Sequence, residues 1–232
     1  MLKALLTDID GTLTGPDRRI DTGSILAIRS LIDSGTDVIL ASGNTACFMD
    51  GLSRMIGTSG TFIAENGGVF RIGFGNPLTI NGSQDACRTA LVAVQEYFSD
   101  KGTELELYSP EYRFADFAFA RTVPADEVAS VLIDHPVEVI DTGYAIHIHP
   151  PGITKGTALV QLAAVMGISP GEFLAIGDSL NDLPMLKSAG VAVTLANGHP
   201  DLKAAADYVA KKEYGPGFVE AVEKYAPYFR AR

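Results

Sequence analysis

The sequence predicts an α/β fold: a doubly wound parallel sheet interrupted by an inserted α+β module. Three observations predict it. Short apolar runs alternate with helix-spaced apolar residues at both ends of the chain, as in a parallel sheet covered on both faces. A middle stretch switches to polar–apolar alternation, the pattern of an antiparallel sheet with one packed face. Acidic motifs stand directly after apolar runs, where open α/β sheets form their ligand crevice.

Taken in order, Leu2 to Thr7 reads as a buried first strand. Ile25, Ile28, Leu31 and Ile32 keep helical spacing, and Asp37 to Ala41 follows as a second strand. Phe48, Met49, Leu52 and Ile56 mark a second helix, and Thr61 to Ala64 a third strand. The rhythm resumes with a helix through Leu159, Leu162, Ala163 and Met166, then strands Phe173 to Ile176 and Val191 to Val193, punctuated by Gly177 and Gly190. Between them a helix through Ala90, Leu91, Val94 and Phe98 precedes three alternating runs, Glu104–Leu107, Asp116–Ala120 and Tyr144–His149. The expected organisation is a core from residues 1–80 and 153–232, with residues 81–152 inserted.

Composition narrows the function. The chain has 232 residues, 47% hydrophobic and 20% charged, enough to bury a core and too apolar for disorder. No apolar run reaches the roughly 18 to 20 residues of a bilayer span, and the opening run is cut short by Asp8 and Asp10 with no small-residue cleavage site after it. Cys47 and Cys87 cannot by themselves build a disulfide framework or a thiolate zinc site. A cytoplasmic monomer or homodimer is expected. Eighteen basic against 28 acidic residues give a net charge of −10, and the longest basic run is Lys211-Lys212. Nucleic acid and anionic membrane are therefore poor partners. A phosphate ligand would have to be held locally, against the global field.

Four short segments carry candidate chemistry. Asp8-Ile9-Asp10-Gly11-Thr12 follows the first strand; in extended chain residues i and i+2 point the same way, so the two carboxylates are expected to project together. A single Asp-x-Asp is equally at home in an ordinary loop. Ala41-Ser42-Gly43-Asn44-Thr45 precedes a helix and offers a hydroxyl and free N–H groups to an anion, or else a helix cap. Lys155 opens the helix after the inserted module, where the dipole disfavours a cation unless an anion shares the place. Gly177-Asp178-Ser179-Leu180-Asn181-Asp182 sets two carboxylates four apart after a strand, a pattern that suits Mg²⁺ with its oxygen ligands and equally a capped polar loop.

Together, and in order, the four segments resemble the motifs of the haloacid dehalogenase superfamily of phosphohydrolases, and the insertion between the second and third looks like that family's C2-type cap on a Rossmann-like core. Glu65-Asn66-Gly67-Gly68 and Tyr214-Gly215-Pro216-Gly217 are also similar to segments of archaeal-type phosphoglycolate phosphatases, relatives of the sucrose-phosphate phosphatases. Ser42 takes a place that is often Thr in relatives.

The resemblance implies a Mg²⁺-dependent phosphomonoesterase for a small phosphorylated metabolite, foremost 2-phosphoglycolate, with a sugar phosphate as the neighbouring choice and a phosphomutase further off. Asp8 is then the nucleophile, and Asp10 the acid and base, which needs to hold its proton more tightly than Asp8. Asp8, Asp10, Asp178 and Asp182 are the implied metal residues, Asp10 through its carbonyl. Ser42, Gly43, Asn44 and Lys155 hold the phosphoryl group. A phospho-accepting receiver also clusters aspartates, a hydroxyl and a lysine, but needs neither an inserted module nor an acid two residues past its phosphorylated aspartate. A non-catalytic scaffold would not be expected to retain all four segments.

In the inserted module, Arg113 is a candidate to grip a substrate carboxylate, set against an exposed strand arginine. His147 and His149 share one sheet face and are expected to be solvated, since no third metal ligand accompanies them; Phe117 and Phe119 are expected in the module's core.

Overall fold

Along the chain the elements run β1 (Ala4–Asp8), α1 (Thr22–Asp33), β2 (Asp37–Ala41), α2 (Ala46–Ile56), β3 (Phe62–Ala64), β4 (Val69–Arg71) and β5 (Thr79–Ile80). Then come α3 (Gln84–Asp100), β6 (Phe117–Ala120), α4 (Ala125–Val131), β7 (Glu138–Asp141) and β8 (Ala145–His149). The remainder is α5 (Lys155–Met166), β9 (Phe173–Gly177), α6 (Leu183–Ser188), β10 (Val191–Thr194), α7 (Pro200–Ala205), β11 (Tyr208–Val209) and α8 (Tyr214–Tyr225). This is a computed structural model, and it describes residues 1–229.

All five residues of β1 are buried, as a strand covered on both faces must be. It sits inside an eight-stranded sheet ordered β11-β10-β9-β1-β2-β3-β4-β5. The six strands from β11 to β3 are parallel; β4 and β5 extend the sheet antiparallel. Alternate residues of each central strand serve opposite cores. Leu5, Leu40 and Phe62 meet Ile28, Met49 and Phe218 from α1, α2 and α8. Ala4, Leu6, Ile39 and Ile63 meet Leu159, Leu162, Met185 and Leu202 from α5, α6 and α7. The expected α/β class and doubly wound sheet are thus present.

The order of this sheet locates the site. From β1 the chain builds outward to β2 and β3 on one side, and much later to β10 and β11 on the other, starting from β9. The loops leaving the carboxyl ends of β1, β2 and β9 therefore diverge and leave a crevice between them.

Between β5 and α5 the chain forms a second, three-stranded antiparallel sheet ordered β6-β8-β7. Phe117, Phe119, Ile146 and Ile148 on one of its faces pack against Ala90, Val94 and Phe98 of α3 and Val128 of α4, so both phenylalanines lie in the core as expected. Glu104–Leu107 differs from expectation. It is no strand: Leu107 makes one bridge to Phe119, flanked by Tyr108 N–H to Ala118 O at 2.8 Å and Ala120 N–H to Glu106 O at 2.9 Å. Its alternation reports a half-buried face, with Leu105 and Leu107 turned to the core, on a segment too short to ladder.

Helices α5 and α6, side by side on one face of the sheet, approach closely at Gly156. A Cβ on Gly156 would fall 2.4 Å from the Pro184 carbonyl oxygen, closer than any real contact. Gly156→Ala must push α5, and Lys155 with it, off α6. The expected outcome is a loss of about 1–3 kcal/mol in stability, read as a lower thermal midpoint; an unchanged midpoint would mean that α5 shifts freely.

Candidate active site

The buried end of the crevice is built on one ammonium. Lys155, first residue of α5, has a fully buried side chain, and its Nζ donates to Asp8 Oδ1 and to Asp182 Oδ1, both at 2.6 Å. Burial alone would discharge this lysine; Asp182 and Asp8 outweigh it and hold the pKa above the ordinary lysine range. Thr154 caps α5 by accepting from Thr157 N–H, which frees the lysine stem to run inward. The bland alternative, a solvated surface lysine, does not hold here.

Asp182 is the most heavily engaged of the site's acids. Its Oδ2 accepts from the N–H groups of Asp178 and Ser179, each at 3.0 Å, so it ties the loop after β9 to the lysine. Asp178 keeps more capacity: Oδ1 accepts from Thr12 Oγ1 at 2.8 Å, and Oδ2 meets only the Ser179 hydroxyl at 3.3 Å and Asn197 Nδ2 at 3.5 Å. Gly11, at φ 92°, makes room for it; a Cβ there would lie 2.4 Å from Asp178 Oδ2.

Donor atoms of Asp8, Asp178 and Asp182 all lie within 4.8 Å of one another. Three buried carboxylates thus face one ammonium. Asp8 is pushed well above the usual carboxylate range, first by burial and then by Asp182, and Asp178 is pushed up to about 7 by the same two causes. Among the described residues, Asp8 Oδ2 is buried without a hydrogen-bond partner. A hard divalent cation fits this donor set, since it takes carboxylate oxygens and would cancel the excess negative charge. The free oxygen on Asp8 and the lightly used Asp178 are the atoms best placed to ligate it.

The loops after β1 and β2 complete the wall. Asp10 is partly exposed, and its Oδ2 accepts from Asn44 Nδ2 at 2.8 Å. Asp8 and Asp10 line the same cavity, but Asp8 turns to Lys155 and Asp10 to Asn44. Ser42 Oγ accepts from Asn44 N–H at 3.1 Å and from Asn44 Nδ2 at 2.9 Å. The residue at the N-cap of α2 is Thr45, without a side-chain cap bond, so Ser42 and Asn44 do not serve as ordinary caps. Asp8, Asp10, Ser42, Gly43, Asn44 and Arg113 all line one cavity of about 430 Å³, with Lys155, Asp178 and Asp182 bonded beneath it.

Arg113 is buried, at 7% exposure, rather than an exposed strand residue. Its Nη1 donates to Asp116 Oδ1 at 2.6 Å and to Gly43 O at 3.3 Å, and its Nε to Tyr108 O at 2.9 Å. The two histidines are also corrected: both are buried. His147 Nδ1 lies 2.7 Å from Asp116 Oδ2, while His149 stands between the Pro150 and Glu65 carbonyl oxygens, each 2.9 Å from a ring nitrogen. The reason is architectural, because the sheet face that carries them is turned onto the parallel sheet's loops and not to water.

Sequence reasoning gave no role to Glu65, Asp116, Asn197 or Tyr144. Glu65 Oε2 accepts from the N–H groups of Phe114, Ala115 and Asp116 at 3.0, 2.8 and 3.3 Å, tying the small sheet to the large one. Burial and Asp116 push its pKa up to about 7. Asp116 goes the other way: burial opposes ionisation, but Arg113 and His147 outweigh it and hold its carboxyl far below the usual range. The signal for Glu65 in the chain was its place in the Glu65–Gly68 segment, whose resemblance to archaeal-type phosphatases named no role for the carboxylate. Asn197 Nδ2 donates to Gly11 O at 2.9 Å and its Oδ1 accepts from Tyr214 N–H at 2.8 Å, which gives the Tyr214–Gly217 segment a place in holding the first loop.

Glu65 carries a pH prediction. Folding raises its pKa from 4.5 to about 7, so this group's contribution is full below 4.5 and is lost as pH rises through 7. Glu65→Gln is expected to flatten part of the fall in stability across that window, measured as the urea midpoint against pH; an unchanged slope would place the titration elsewhere. Asp116 acts in the opposite sense, stabilising above the ordinary aspartate range and losing that contribution only in stronger acid, so the two windows separate.

The chain matches the family model of haloacid dehalogenase-like hydrolases over residues 5–115 and 126–222. A Methanoculleus marisnigri protein named phosphoglycolate phosphatase is 55% identical, with 100% of both chains covered. A Methanospirillum hungatei protein of the same name is 48% identical, again over 100% of both. A solved Thermoplasma acidophilum structure superposes with a TM-score of 0.86 at 28% identity, covering 97% of this chain and 99% of that one. With its sheet order, its three strand-end segments and helix-opening lysine, and this match across most of its length, the chain belongs to the haloacid dehalogenase-like hydrolases.

Proposed function

We propose that this hydrolase is a Mg²⁺-dependent phosphatase that converts 2-phosphoglycolate to glycolate and phosphate. The observation that carries the reading is Asp8 Oδ2: a buried carboxylate oxygen without a partner, on the cavity floor, beside a lysine and a second acidic residue with room for a ligand. The relatives named phosphoglycolate phosphatase support the substrate, and a cavity of about 430 Å³ suits a small acid.

In this reading Asp8 attacks phosphorus and forms an aspartyl-phosphate, while Asp10 gives its proton to the leaving alkoxide. Asp10 then takes a proton from water, which attacks the same phosphorus, returns Asp8 as a carboxylate and releases phosphate. The partial exposure of Asp10 gives water a route to its carboxyl, and Asn44 orients that carboxyl. Lys155 balances charge on the phosphoryl oxygens, with Ser42 and the Gly43–Asn44 backbone as hydrogen-bond donors. A Mg²⁺ held by Asp8, Asp178 and the Asp10 carbonyl, with Asp182 bracing the loop, would neutralise the dianion and keep Asp8 ionised against the burial that now raises its pKa. Residues 81–152 act as a cap that closes over the crevice. Arg113 shapes the cavity wall by holding the Gly43 carbonyl. No helix among the described residues is long and apolar enough to cross a membrane, which fits a small, diffusible substrate.

Three measurements test this. Asp8→Asn is expected to lower kcat by at least about a thousandfold while the chain still folds; near wild-type turnover would remove the nucleophile. Activity on 2-phosphoglycolate is expected to vanish with EDTA and return with Mg²⁺. In a panel of phosphorylated acids and sugars ranked by kcat/KM, a sugar phosphate at the top would replace the substrate assignment.

A further inference from the structure

Three cations belong to the site, and two are spent. Lys155 is bonded to Asp8 and Asp182, and the Arg113 guanidinium is neutralised by Asp116 at 2.6 Å and further held by the Tyr108 carbonyl. A substrate that carries a carboxylate besides its phosphate needs another partner. The third cation is Arg18, which lines the same cavity from the hairpin between β1 and α1. Among the described residues no carboxylate pairs with it.

The local backbone marks this arginine. Thr14 and Ile20 bridge across the hairpin, and its turn closes through Arg18 N–H to Gly15 O at 2.9 Å. Arg18 itself sits at φ 59°, in the left-handed region that hairpin turns ordinarily give to Gly or Asn. A long side chain there breaks a local preference, and such departures cluster at ligand sites. Its guanidinium lies over the Tyr144 ring, 5.1 Å from the centroid, so the stack can orient the group while its N–H edges stay available. Tyr144 lines the cavity near the reacting carboxylates: burial, then the negative charges of Asp178, Asp10 and Asp8, push its pKa up to about 12.

We infer that Arg18, braced by Tyr144, receives the substrate's carboxylate and sets the preference for phosphorylated acids over neutral phosphate esters; this rests on the phosphatase reading above. The guanidinium fork matches a carboxylate with two parallel hydrogen bonds, a geometry that a neutral leaving group cannot return. Arg18 is then a specificity-determining residue, and Arg113, chosen from sequence for the same task, is a positioning residue between the small sheet and the Gly43 loop.

The test compares kcat/KM for 2-phosphoglycolate, 3-phosphoglycerate and phenyl phosphate, with Mg²⁺, in wild type, Arg18→Gln, Arg18→Lys and Arg18→Gly. Arg18→Gln is expected to lose about 10- to 50-fold on the two acids and less than about threefold on phenyl phosphate, chiefly through KM. Arg18→Lys should recover part of the loss. Arg18→Gly relieves the backbone and is expected to unfold no earlier than wild type while losing the preference for acids, which separates recognition from folding. Equal losses on all three esters, or loss on none, would overturn the role of Arg18. A wild type that prefers 3-phosphoglycerate, with that preference erased by Arg18→Gln, would overturn the substrate assignment and leave Arg18 standing. A wild type with no preference for acids would overturn both.

Discussion

The Lys155 ammonium is the contact on which the site depends. It holds two carboxylates distant in sequence, Asp8 at the end of β1, 147 residues away, and Asp182 in the loop after β9, 27 residues away. Inside the fold each charge would be costly alone; the lysine would lose its proton and the aspartates would gain one. Their mutual pairing keeps all three charged forms within reach, and it fixes where the ends of β1 and β9 stand relative to α5. The pairing is incomplete, because Asp178 adds a third carboxylate to the same small volume. The site therefore carries an excess of buried negative charge that a cation would offset.

Much of this could be read in the chain, and the reasons are particular. The central strands were legible because burial on both faces makes them continuously apolar, as in Asp37–Ala41 and Phe173–Gly177. Asp8, Asp10, Ser42, Lys155 and Asp178 were legible because each follows such a strand or opens a helix, so the sheet's order brings them together. Strands β4 and β5 went unnoticed: three and two residues carry no detectable period, and their antiparallel pairing depends on neighbours far along the chain.

The two misread histidines share one cause. His147 and His149 were expected in solvent because alternation distinguishes two faces of a strand without saying what covers the second one; Arg113, weighed between a substrate carboxylate and an exposed strand position, lies outside the strands but meets the same covering loops. Here the second face lies on the loops of the parallel sheet. Its polar side chains are buried, and they are satisfied by groups that sequence spacing cannot pair: His149 with the Glu65 carbonyl, Arg113 with the Gly43 carbonyl, Glu65 with three amides of residues 114–116. Glu65 itself takes a left-handed φ of 48°, which turns its carboxylate across the gap.

That seam between the two sheets is mostly polar. Ala115 packs into the parallel sheet's core, but the rest of the joint is hydrogen-bonded: Glu65 accepts from backbone amides of the inserted segment, Arg113 donates to the Gly43 carbonyl and His149 meets the Glu65 carbonyl. Hydrogen bonds given up to water are largely replaced, whereas a parted apolar core is not. Parting this seam would therefore cost less than parting either apolar core, and would leave both halves folded.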